Sequence, residues 1–84
     1  MLPKESPARL PEKLKQIREW TQLSLDDFAP HVNAKTGKEI AAYEKGNRDL
    51  PVRVLMGYWK LSGRPLEDLL NDGRDLWLSD LHEL

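Results

Sequence analysis

Residues 33–51 read NAKTGKEIAAYEKGNRDLP, and the fold turns on this stretch. Thr36 followed by Glu39 has the form of a capping box, in which a hydroxyl accepts the N–H three residues on and the acid reaches back. A helix is therefore expected to begin at Thr36. Ile40 and Tyr43, three apart, mark its inner side. Gly46 suits the left-handed residue that closes a helix. Pro51 suits the start of the next one, where its missing N–H costs nothing.

Upstream, SLDDFAPHV (24–32) predicts a second helix capped by Ser24. Asp26 and Asp27 lie at its positive end, and Phe28, Ala29 and Val32 form its apolar side. Pro30 is expected to bend or delay it. Before that, Pro11 opens a helix running to about Gln22. Leu10, Leu14 and Ile17 fall at i, i+4, i+7, with Lys13, Lys15 and Glu19 between them. Downstream, Val54, Leu55, Tyr58 and Leu61 share one side of a fourth helix, which SGRP breaks. Pro65 restarts a short fifth helix with Leu66, Leu69 and Leu70, closed by NDG. Apart from LWL at 76–78, nothing alternates with period two. The expectation is an all-α domain of five short helices over residues 10–72, with a flexible arm at 1–9 and a C-terminal tail at 73–84.

The chain has 84 residues, which predicts one domain. A domain this small buries only about 60% of its unfolded-chain surface, so it needs close packing or a partner. There is no cysteine, hence no disulfide framework and no thiolate metal site, which fits a reducing cytoplasm. No apolar run approaches the roughly 20 residues of a membrane span. MLPKESPAR has no apolar core, so no signal peptide is expected. His31 and His82 stand alone, without ligand-like company. Asp26 and Asp27 are adjacent in a helix first turn, where dipole compensation accounts for them. No phosphate loop or nucleophile arrangement is present, and a small helical chain has little room for a pocket. The reading is a non-enzyme with no cofactor and no metal.

Net charge is −1. It hides an asymmetry: residues 1–65 hold 12 Lys/Arg and 8 Asp/Glu, whereas 66–84 hold 1 Arg and 6 acids. A basic body thus precedes an acidic tail. In the tail, Trp77, Leu81 and Leu84 fall at i, i+4, i+7, with Leu78 nearby. Large exposed apolar groups mark contacts. Three uses of the tail remain open: joining two copies, folding back near Leu10 or Trp59, or docking a different protein.

Two helices joined by a short turn, the second of them capped, form a helix-turn-helix, here 24–32 and 36–45. LKQIREW, SLDDFA, TGKEIAAYEKGNRDLP and VLMGYWKLSGRPLEDLL together resemble the Cro and phage-repressor type of helix-turn-helix, the XRE family, across residues 10 to 70. The likeness is to stand-alone bacterial regulators with a lambda-repressor-like fold. It implies a cytoplasmic transcription regulator that binds double-stranded DNA sequence-specifically, as a repressor and as a homodimer. It also implies roles for individual residues. Arg18 and Glu44 would pair across the domain. Thr36, Gly37, Lys38, Glu39 and Ala42 would face base edges in the major groove, and Lys45, Asn47 and Arg48 would meet phosphates. The chain departs from the family at Leu25, which stands where a phosphate-touching glutamine is usual, at Pro30, and in a turn one residue longer.

On such a helix Lys38 can donate to guanine, Glu39 can accept from cytosine, and Ala42 can touch a thymine methyl. Lys35, Lys38, Lys45 and Arg48 supply attraction independent of sequence. Glu39 is equally explained as a cap, and Lys38 and Lys45 as a solvated face. In the homodimer the tail, with Trp77, Leu78, Leu81 and Leu84 as contacts, would place two recognition helices about 34 Å apart. The competing function is an antitoxin-like interaction module that docks a partner such as a toxin through the tail and reads DNA weakly or not at all.

Overall fold

A computed structural model describes residues 8–76 and residue 78. Its elements are α1 (Leu10–Thr21), α2 (Leu25–Phe28), a 3₁₀ turn (Ala29–Val32), α3 (Gly37–Lys45), α4 (Val52–Ser62) and α5 (Leu66–Leu70). The protein is all-helical among the described residues. Leu14, Ile17, Phe28, Val32, Ile40, Tyr43, Val54, Tyr58 and Leu69 form the heart of one core. No helix among the described residues is long and apolar enough to cross a membrane.

The expected second helix is divided. Ser24 caps α2 by accepting the Asp27 N–H at 3.2 Å. Regular α-helix then stops at Phe28, and Pro30 lies in the first turn of the 3₁₀ segment. Its missing N–H falls where a new helical segment has no need of one. The 3₁₀ turn ends at Asn33, whose φ of 63° is left-handed.

Segment 25–32 is held by two close approaches of backbone. A Cβ added to Gly57 of α4 would stand 2.6 Å from the Val32 Cα and 2.9 Å from its carbonyl oxygen. One added to Gly37 of α3 would stand 2.8 Å from the Asp26 nitrogen and 2.9 Å from the Leu25 carbonyl carbon. The rings of Phe28 and Tyr58 meet between these contacts, centroids 5.3 Å apart and planes inclined at 51°. The Tyr58 hydroxyl is buried with no hydrogen-bond partner, and burial pushes its pKa up.

Polar bonds close the fifth helix onto the first. Lys13, expected on a polar face, is buried, and its ammonium donates to the carbonyls of Asp68 at 2.6 Å and Asn71 at 2.8 Å. Burial lowers its pKa, and the neighbouring Arg9 lowers it further. Asp68 is buried too, bridged by Arg74 at 2.7 Å and Arg64 at 3.2 Å. Asp72 accepts the backbone N–H groups of Ala8 at 2.8 Å and Arg9 at 2.9 Å, the unpaired donors where α1 begins. Gln16 donates to the Leu76 carbonyl at 2.9 Å, and Leu76 is buried in the core.

The element boundaries of the sequence reading shift accordingly. Ala8 and Arg9 belong to the domain rather than to a free arm, and so do residues 73–76, which were expected in the tail. Charge pairing between distant segments has no period for a sequence to display. Leu78, expected to contact a second copy or a partner, is half-buried against the core of its own domain. Trp77, Leu81 and Leu84 lie outside the described residues.

Two predictions follow from this packing. Gly57→Ala forces α4 off the 3₁₀ turn and lowers stability by at least about 1 kcal/mol in urea unfolding, despite a helix-propensity gain of about 1 kcal/mol. An increase in stability would show that the two backbones are not in contact. Asp68 is the second case: hydrogen bonds from Arg74, then Arg64, hold its carboxyl below the usual carboxylate value. Its stabilisation is present above its unfolded-state pKa and is lost as pH falls through the lower folded value. Asp68→Asn should therefore reduce stability at pH 7 and flatten the acid-induced loss below about pH 4. An unchanged pH profile would remove Asp68 from the acid response.

Candidate nucleic-acid interface

Local chemistry fixes both ends of α3. The Thr36 hydroxyl accepts the Glu39 N–H at 3.3 Å, and the Glu39 carboxylate accepts the Lys35 N–H at 3.1 Å. This is a capping box whose returning bond lands one residue before the cap. At the other end Gly46 has φ 74°. The Gly46 N–H bonds the Tyr43 carbonyl at 3.1 Å, and the Asn47 N–H bonds that of Ala42 at 3.0 Å. These paired bonds are a Schellman motif, which needs the left-handed residue that glycine supplies. They set the direction in which Asn47 and Arg48 leave the helix.

The inner side of α3 is Gly37, Ile40 and Tyr43, all buried. Lys38, Ala42 and Lys45, at i, i+4, i+7, share the opposite side, with both lysines exposed and Ala42 half-buried. Lys35, Thr36, Asn47 and Arg48 are exposed around its two ends. The Arg48 guanidinium carbon lies 6.0 Å from the centroid of the buried Tyr43 ring. That aromatic face limits where the cation can swing. Of the expected set, Lys38, Ala42 and Lys45 thus share one outward side, and Lys35, Thr36, Asn47 and Arg48 are exposed at the two ends of the helix.

Gly37 does not belong to that surface. It is buried under the start of α2, and its N–H donates to the Asp26 carboxylate at 3.0 Å. The sequence-based place for Gly37 against base edges is corrected: its missing side chain serves the approach of α3 to α2. Glu39 is half-buried and its carboxylate is engaged at Lys35, so capping occupies it. Asp26 was read only as a dipole-compensating acid. No short-range pattern signals its bond to Gly37, eleven residues away.

Arg18 and Glu44 meet as a forked pair, Nε to Oε2 at 2.7 Å and Nη2 to Oε1 at 3.2 Å. The Arg18 and Glu44 side chains are 18% and 7% exposed, which places the pair between surface and interior. Hydrogen bonding to Glu44 is the main cause of the rise in the Arg18 pKa. The pair ties α3 to α1 and so sets the tilt of the outward surface. Beside it lies an open depression of about 290 Å³, lined by Lys15, Arg18, Leu25, Ala41, Glu44 and Lys45. Lys15, placed on a polar position of the first helix, was not among the expected site residues.

Compared with protein-family models, curated proteins and solved structures, the chain finds no match.

Replacing one member of the forked pair leaves the other half-buried and uncompensated. Arg18→Met and Glu44→Leu should each lower stability by about 1–3 kcal/mol, less than for a fully buried pair, and the double variant should recover most of that loss. Strict additivity in denaturant unfolding would show that the two side chains do not depend on each other.

Proposed function

We propose that this chain binds duplex DNA through α3, as a helix-turn-helix transcription regulator that blocks promoter access. One observation carries the proposal: Lys38, Ala42 and Lys45 form an outward stripe on a helix whose ends and inner side are held, with Lys35 and Arg48 beside it. A helix of this width enters a major groove, and its small residues permit close approach to the bases. Four cations supply attraction to the phosphates. With Gly37 buried and Glu39 engaged as a cap, base reading falls to Lys38 and Ala42. Most of the affinity is therefore positional, with modest sequence preference. Association as a homodimer would supply the second half-site.

One finding favours a second reading. The Asp26 carboxylate occupies the first N–H of α3, and Asp26 and Asp27 are exposed beside it. Acids repel phosphates, so the domain would then serve as an interaction module that docks a protein partner.

Selection of random-sequence duplexes by the full chain at about 150 mM salt separates the two readings. Enrichment of a short motif is expected, as an inverted repeat if two copies act together. The double substitution Lys38→Glu, Arg48→Glu should reduce retention more than tenfold. No retention by the unmodified chain would leave the interaction module.

A further inference from the structure

Helix α1 carries four cations among the described residues and at its start, and they fall into two groups. Arg9 bonds Asp75 at 2.9 Å and Asp72 through its backbone, Lys13 is buried on the carbonyls of Asp68 and Asn71, and Arg18 is committed to Glu44. Lys15 differs. It is exposed and has no acidic partner among the described residues. Its position is equally distinctive, because it lines the depression that Ala41, Glu44 and Lys45 of α3 also line.

The chemistry of this depression alternates. Lys15 and Lys45 supply positive charge from two different helices. Leu25 and Ala41 add apolar surface to the same lining, and the Arg18–Glu44 pair is already neutralised by its two hydrogen bonds. A phosphodiester chain has the complementary alternation, with an anionic phosphate on either side of an apolar sugar face. The exposed carboxylates of Asp26 and Asp27 repel phosphate at the start of α2, which leaves the side toward α1 as the favourable path.

We propose that Lys15 and Lys45 form a two-sided phosphate clamp that carries one strand of the duplex across the α1–α3 depression while the α3 stripe faces the bases. This rests on the DNA-binding reading and adds to it a residue and a strand path. Lys15 acts as a positioning residue: it touches only backbone, so it strengthens binding to all sequences alike.

The test uses the full chain and a fluorescently labelled mixed-sequence duplex, titrated by anisotropy across a series of salt concentrations. Lys15→Gln should flatten the slope of log affinity against log salt by about 0.9 and weaken binding about five- to tenfold near 100 mM salt. The enriched motif should stay the same. Lys60→Gln removes the same charge from an exposed site on α4 and controls for net charge. An equal effect of the two variants, or no effect of Lys15→Gln beside a steep loss with Lys38→Glu, would overturn the clamp and leave the α3 reading standing. No binding by the unmodified chain would remove that reading, and the clamp with it. Circular dichroism of both glutamine variants should match the parent, since neither lysine has a structural partner among the described residues.

Discussion

The contact of two helix backbones with the short segment 25–32 is the constraint on which the rest of the structure depends. Gly37 lets α3 come up against Leu25 and Asp26, and Gly57 lets α4 come up against Val32. A side chain at either position would collide with backbone, which cannot rotate out of the way as a side chain can. The segment between them is only α2 and a 3₁₀ turn, too short to be stable alone. It persists because both flanks hold it and Phe28 fills the space against Tyr58. The outward tilt of α3 is a consequence, reinforced by the Arg18–Glu44 fork.

Charge follows the same division between held and free. The basic body and acidic tail of the sequence are partly one internal network: Arg9, Lys13, Arg64 and Arg74 engage Asp68, Asp72, Asp75 and nearby carbonyls. What remains outward around α3 is Lys15, Lys35, Lys38, Lys45 and Arg48, a smaller but more concentrated set than the sequence count suggests. Net charge near zero is therefore compatible with a strongly cationic face. The same network extends the domain to Leu76, so that whatever the remaining tail does, it starts from a fixed point.

Much of the local architecture was legible. Thr36 with Glu39, Gly46, Pro11, Pro51 and Pro65 each act within one helical turn, and each marks an end where the structure has one. Lys38, Ala42 and Lys45 are expected at the DNA from the family resemblance, and the helix places all three on one outward side. The resemblance sets Gly37 against base edges, and the fold instead packs it against Leu25 and Asp26 of α2. Lys13 falls between the apolar positions of the first helix, and only carbonyls 55 and 58 residues away explain its burial. Nothing local in sequence separates Lys15 from Lys13 and Arg18; the distant partners of the latter two do.

The sequence by itself determined most helix ends, which side of each helix is apolar, and the all-helical class seen among the described residues. These are properties of neighbours in the chain, set by caps, turns and a 3.6-residue period. Tertiary structure alone decided which charges are consumed internally, that a glycine on the supposed reading helix is a packing contact, and that α1 and α3 bound a common depression. Those outcomes depend on contacts between residues far apart in sequence, and such contacts exist only once the helices have closed on one another.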